Sequence, residues 1–213
     1  MLRERGSPQP LVITTNYDDL VERALDEAHV EYDVLRYVAT GPDRGKFAHE
    51  PPGDGEPAEA GREAPARGPY QIVDTPRTYT EVDPDERTVV LKIHGSVDRK
   101  DRSRDSYVIT EDDYISYLTE TNLSALFPVN VLAKLLESNL LFLGYGMRDW
   151  NLRVILYRIL EERGAKTWTS WAVQNVVDPF DKKLWDSRNV KLHEHTLSDY
   201  IAGLEAALKD VMR

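Results

Sequence analysis

Residues 11–20 read LVITTNYDDL. The β-branched run LVITT is strand material, and the DDLVERALDEA that follows sets Leu20, Val21, Ala24, Leu25 and Ala28 at helical spacing. The stretch therefore predicts strand, turn and helix, with Asn16, Tyr17 and Asp18 in the turn. Two readings of that polar turn are open. Asn16 or Asp18 caps the helix, or the amide and the carboxylate hold a ligand at the carboxyl end of the strand.

The same grammar recurs along the chain. TVVLKIHGSVD (88–98) is an apolar strand interrupted by a lysine and ending in His-Gly. YVIT (107–110) leads into EDDYISYL, where Thr110 and Asp113 have the spacing of a capping box and Glu111, Asp112 and Asp113 suit a helical first turn. VNVLAKLLES reads as a helix and NLLFLGYG as a buried strand. MRDWNLRVILYRILEERG then predicts a helix capped by Asp149, with Leu152, Ile155, Leu156 and Ile159 inward. TWTSWAVQ, DPFDKKLWDSRN, VKLHEHT and LSDYIAGLEAALKDVM complete the alternation, the last a helix with Tyr200, Ile201, Leu204 and Leu208 inward. Alternation of this kind predicts an α/β fold, a mainly parallel sheet with helices on both faces. Ligands of such sheets bind beyond the carboxyl ends of the strands. Three such ends carry polar or glycine motifs: TTNYD, HG and GYGMRD.

Between the first two lies GPDRGKFAHEPPGDGEPAEAGREAPARGP (41–69), which holds 6 of the 12 prolines and 6 of the 12 glycines. That composition predicts a flexible insertion within a domain spanning 11–213, after a tail at 1–10.

Composition narrows the function classes. The 213-residue chain carries a net charge of −10, which leaves no basic excess for a nucleic-acid or membrane-surface binder. It contains no cysteine, so disulfides and thiolate metal sites are excluded. No stretch approaches the roughly 20 apolar residues of a membrane span, and the amino terminus lacks an apolar signal core. A cytoplasmic protein is the expectation. His193 and His195 alternate on one face of a strand, but no third ligand accompanies them, so no metal is expected. Trp150, Trp168, Trp171 and Trp185 read as packing residues.

In order, ITTNYDDLVERAL, KIHGSVD, YVITEDDYISYL and LLFLGYGMRDWNL resemble the sirtuin-like domain of bacterial NAD-consuming proteins, many of them anti-phage defence effectors. The resemblance covers roughly residues 11–160. It implies a Rossmann-like fold and NAD as the substrate, hydrolysed to nicotinamide and ADP-ribose. It implies catalytic roles for Asn16, beside the nicotinamide ribose, and for His94, as general base. It puts Thr15, Asp18 and Gly95 in the binding site, with Asp18 near the nicotinamide amide. Gly144, Tyr145, Gly146 and Asp149 line the adenosine side by the same resemblance. A protein partner or a homo-oligomer is also implied, since such domains are usually fused to or paired with a second protein.

Two departures bear on the reaction. The zinc module of protein-deacylating sirtuins needs four cysteines, so deacylation ranks below hydrolysis; transfer of ADP-ribose or an acyl group to a protein stays as a lesser alternative. The family pattern also opens with a strand and a glycine-rich turn that cradles the pyrophosphate, and MLRERGSPQP contains no such turn. The expectation is therefore a chain lacking that half of the cradle. A nucleotide-sensing or scaffold module without catalysis stays open beside the enzyme.

Overall fold

The central strand is β5, Thr88–Lys92, whose five residues are all buried. In the computed structural model, which describes residues 9–53, 67–99, 101–110, 113, 123–146, 150–163 and 168–211, it is paired on both edges. β1 (Leu11–Thr14) and β2 (Tyr32–Tyr37) run parallel to it on either side. The sheet continues antiparallel through β3 (Phe47–Glu50) and β4 (Gln71–Val73), giving the order β1-β5-β2-β3-β4. Two parallel neighbours and no free edge explain the run TVVLK: β-branched residues fill both faces of a doubly covered strand.

Helix α1 (Leu20–Glu27) closes the first crossover. Its Val21 and Leu25 pack against Tyr32, Val34 and Val90, while Leu20 faces solvent. After β5 the chain turns through a short ribbon, β6 (Gly95–Ser96) against β7 (Ser106–Tyr107). The capping box predicted at Thr110 is formed. The Thr110 N–H donates to Asp113 Oδ2 at 3.0 Å, and the Asp113 N–H donates to Thr110 Oγ1 at 3.3 Å. These bonds from Thr110 hold the Asp113 carboxyl below the usual carboxylate range. Glu111 and Asp112 lie outside the described residues.

The chain divides into two compact units, Met1–Leu135 and Leu136–Arg213. Helices α2 (Leu123–Leu126) and α3 (Val129–Glu137) end the first and run into the second. The second unit has its own parallel sheet, β10-β9-β8, formed by β8 (Leu141–Phe142), β9 (Ser170–Gln174) and β10 (Val190–Glu194). Its core gathers Leu156 from α4 (Trp150–Arg163), Ala172, Val190 and Trp185 from α5 (Pro179–Asp186). Asp178 caps α5 through the Phe180 N–H at 2.8 Å, ahead of Pro179 in the first turn.

Three expectations need correction. The sheet is not one parallel array: β3 and β4 are antiparallel, and β8 belongs to a separate sheet. The flexible insertion predicted over 41–69 contains β3, all four of whose residues are buried. Composition hid this strand because FAHE is half ionisable, and only its partners make it buriable. Residues 54–66 lie outside the described set. In α6 (Leu197–Val211), Tyr200 and Ile201 are half-buried, but Leu204 and Leu208 are exposed rather than inward. Leu156 and Ile159 of α4 are inward as predicted, while the side chains of Leu152 and Ile155 lie outside the described set.

Polar side chains of β2 and β3 are paired to one another. His49 Nε2 donates to Asp33 Oδ1 at 2.9 Å, and His49 Nδ1 sits 2.7 Å from the Tyr79 hydroxyl. Arg87 Nε reaches the other Asp33 oxygen at 2.9 Å. Arg36 bridges Glu50 at 3.0 Å and Asp98 at 3.3 Å. Burial, together with Glu81 and Asp33, pushes the Tyr79 phenol well up, so it stays a neutral hydrogen-bonding group. Replacing His49 by Ala should destabilise by about 1–3 kcal/mol, the cost of leaving buried partners unsatisfied. Tyr79→Phe should cost about 1 kcal/mol. Urea midpoints at constant slope measure both.

Candidate functional site

β1 and β5 are neighbours in parallel register, with Thr14 opposite Lys92. The ladder runs one step further, the Ile93 N–H donating to Thr14 O at 3.1 Å. Asn16 and His94 each stand two residues past a paired position, so both emerge at the same carboxyl edge. Thr15, Asp18 and Gly95 share that edge.

The turn is built from short-range polar bonds. The Asn16 N–H donates to Thr14 Oγ1 at 3.0 Å, which bends the chain directly after the strand. The Leu20 N–H donates to Asp18 Oδ1 at 3.1 Å. Asp18 thus covers the opening of α1, whereas the N-cap residue Asp19 makes no capping bond and forms an ion pair with Arg99 at 2.8 Å. The capping reading of the turn therefore belongs to Asp18. The Asn16 side chain is exposed and has no hydrogen-bonding partner among the described residues. An amide left free at a strand end can orient hydroxyls or a carbonyl of a ligand.

Tyr17 anchors the turn from its other side. Its hydroxyl donates to Val108 O at 2.6 Å, and its ring meets Tyr107 edge-on at 5.2 Å. Burial, and the nearby Asp113 carboxylate, raise its phenol, so it remains a neutral donor. The Val97 N–H donates to Tyr17 O at 2.9 Å and the Val108 N–H to His94 O at 2.9 Å. Both bonds tie the turn and the His-Gly segment to the β6–β7 ribbon.

Gly95 has a steric reason to be glycine. Its φ is +85°, and a Cβ there would stand 2.1 Å from Ser106 O. Only a residue without a side chain lets the chain turn away after His94 and leaves the half-buried imidazole at the sheet edge. Histidine is the side chain that titrates nearest neutrality, so proton transfer is available there.

Beyond the carboxyl end of β2, on the same side of the parallel strands, lies a cavity of about 220 Å³. Thr40, Asp43, Tyr70, Arg104 and Ser106 line it, and the Arg104 guanidinium lies 4.7 Å from the Tyr70 ring centroid.

Gly144, Tyr145 and Gly146 follow β8 in the second unit. Gly144 takes a φ of +73°, with open space where a Cβ would stand. Tyr145 packs against the Leu156–Trp185 core, and its carbonyl accepts from Gln174 Nε2. Asp149 lies outside the described residues. His193 and His195 are exposed on and just past β10. No group of three metal-ligating side chains is gathered among the described residues, and no helix of those residues is long and apolar enough to cross a membrane.

Sequence reasoning passed over Lys92 and Glu22. Lys92 is 1% exposed and reaches from β5 to Glu22 Oε1 at 2.8 Å and to the backbone carbonyl of Asp18. The signal was present in VVLKI: a lysine inside a buried strand must meet a carboxylate or carbonyl.

The family model described as a SIR2-like domain matches residues 10–193, a span that includes both the TTNYD turn and the His-Gly segment. No curated protein matches the chain.

Gly95→Ala should destabilise by at least about 2 kcal/mol, because strain at positive φ adds to the overlap with Ser106 O. The urea midpoint measures it, and a near-neutral result would mean the β6–β7 ribbon relaxes freely.

Proposed function

The chain belongs to the SIR2-like domain family, and from that premise we propose that it binds NAD and hydrolyses it to nicotinamide and ADP-ribose. The observation that carries the reading is the shared register of Asn16 and His94, each two residues past the Thr14–Lys92 pair. That register supports an amide and an imidazole at one carboxyl edge of the sheet.

The reaction needs little else from the protein. The bond between nicotinamide and the ribose C1′ breaks with its electron pair leaving on nicotinamide, and positive charge develops on the ribose. The Asn16 amide orients the ribose or the attacking water against that charge. Water forms the new bond at C1′, and His94 takes the proton that water loses. Such proton transfer is worth roughly 10²–10⁴-fold in rate. Asp18 follows in the same turn, with one carboxylate oxygen engaged by the Leu20 N–H. The cavity past β2 is on the same carboxyl-end side and adds to the case for a ligand there.

Gly144, Tyr145, Gly146 and Asp149 are proposed for the adenosine side on the family resemblance alone. Depletion of cellular NAD as an anti-phage response, under control of a partner, is the biological setting this reading carries.

Nicotinamide release from NAD by the purified chain tests the proposal. Asn16→Ala and His94→Ala should each lower kcat by roughly 10²–10⁴-fold with an unchanged urea midpoint. Release by wild type that neither variant lowers would overturn the assigned roles. Calorimetric binding of ADP-ribose without any release would replace hydrolysis with nucleotide sensing. Label from NAD appearing on protein rather than as free ADP-ribose would replace it with transfer.

A further inference from the structure

A lysine that is 1% exposed is an expensive way to fill a strand position. Its partner Glu22 is also buried, and Oε1 accepts from Lys92 at 2.8 Å, while Oε2 has no hydrogen-bond partner among the described residues. Apolar residues of similar volume commonly serve stability as well as a buried ion pair does. Stability alone therefore does not account for the pair. What the ion pair cannot supply, and Lys92 does, is the second bond, from Nζ to the backbone carbonyl of Asp18.

That carbonyl lies in the turn that displays Asn16, at the point where the turn enters α1. Lys92 itself lies two residues before His94 on β5. One ammonium group therefore couples the segment bearing the amide to the strand bearing the imidazole. Other ties between the two segments are two backbone bonds, Ile93 N–H to Thr14 O at 3.1 Å and Val97 N–H to Tyr17 O at 2.9 Å, and the Asp19–Arg99 ion pair at 2.8 Å. The first holds the strand and the second holds Tyr17. After Tyr17, the Asp19–Arg99 pair lies at the surface and is screened by water, whereas the buried Lys92 ammonium holds the Asp18 carbonyl out of water, with Glu22 fixing the direction of its side chain.

We propose that Lys92 is a positioning residue, whose bond to the Asp18 carbonyl sets the separation of Asn16 from His94, and that Glu22 serves to aim it. The inference rests on the hydrolytic reading of the site for its effect on rate, and on geometry alone for its effect on the turn. Displacement of a reacting group by about 1 Å can cost on the order of 100-fold in rate, so a turn released from Lys92 loses catalysis without unfolding.

Two variants separate positioning from bulk stability. Glu22→Gln breaks the ion pair and keeps the ammonium on the Asp18 carbonyl. The double variant Glu22→Leu/Lys92→Met removes both charges and releases that carbonyl. Three readouts apply: the urea midpoint, kcat for nicotinamide release, and hydrogen exchange at the Val97 amide, which reports the seating of the turn through Tyr17. Glu22→Gln should lower the midpoint and keep both kcat, within a few-fold, and Val97 protection. The double variant should return towards the wild-type midpoint, yet lose about 100-fold in kcat and lose Val97 protection. A merely structural pair would make kcat follow the midpoint in both variants.

Wild-type kcat and Val97 protection in the double variant would overturn the proposal. If wild type itself releases no nicotinamide, the hydrolytic reading fails, and Val97 exchange still decides the role of Lys92. Should the double variant not fold, Val97 exchange in Glu22→Gln decides it: protection kept supports the Asp18 bond as the anchor, and protection lost overturns it.

Discussion

The parallel pairing of β1 with β5 is the constraint on which the first unit and its candidate site depend. β5 is enclosed on both edges, by β1 and β2, and every one of its residues is buried. A slip of that strand by one residue would swap its two packed faces and carry Lys92 away from Glu22 and the Asp18 carbonyl. The register that results, Thr14 against Lys92, then determines what stands at the carboxyl edge. Asn16 and His94 emerge at the same edge because of this pairing, although their segments are far apart in sequence.

Burial of β5 also decides the fate of its lysine. An ammonium without water needs hydrogen-bond acceptors, and the nearest element able to supply them is α1, which packs on the same strands. Glu22 and the Asp18 carbonyl meet that need. The polar side chains further along the sheet follow the same rule. Asp33, His49, Tyr79 and Arg87 form one connected set, and Arg36 with Glu50 and Asp98 another. Each ionisable group is tolerable only because a partner from a different segment is already in place. The first unit is therefore held by backbone ladders, by an apolar core around Tyr32, Val34 and Val90, and by polar pairs whose members are distant in sequence.

Glycine contributes at one decisive point. Gly95 lets the chain leave the sheet directly after His94, where a Cβ would collide with Ser106 O. The ribbon it permits then receives the Tyr17 hydroxyl through Val108 and the Tyr17 carbonyl through Val97. The turn after β1 and the turn after β5 are in this way bonded to the same two short strands. Elements as short as β6 and β7 matter here because they join two strand ends that the sheet alone leaves loose.

Local sequence was enough for the elements whose signals are local. The strand LVITT with its helix, the Thr110–Asp113 box, the strand before His-Gly, and the order of four motifs that marks a SIR2-like domain were all legible in the chain. They were legible because β-branched runs, helical spacing and capping chemistry act over a few residues. The strand at Phe47–Glu50, the separate sheet of the second unit, the outward face of Leu204 and Leu208, and the bond from Lys92 to Asp18 were not. Each depends on a partner dozens of residues away or on which strands pair, and no local pattern encodes that choice. Sequence alone determined which residue types were available to a site at the strand ends. Tertiary structure decided which of them share an edge, because only the register of β1 on β5 sets Asn16 and His94 past the same pair of strand ends.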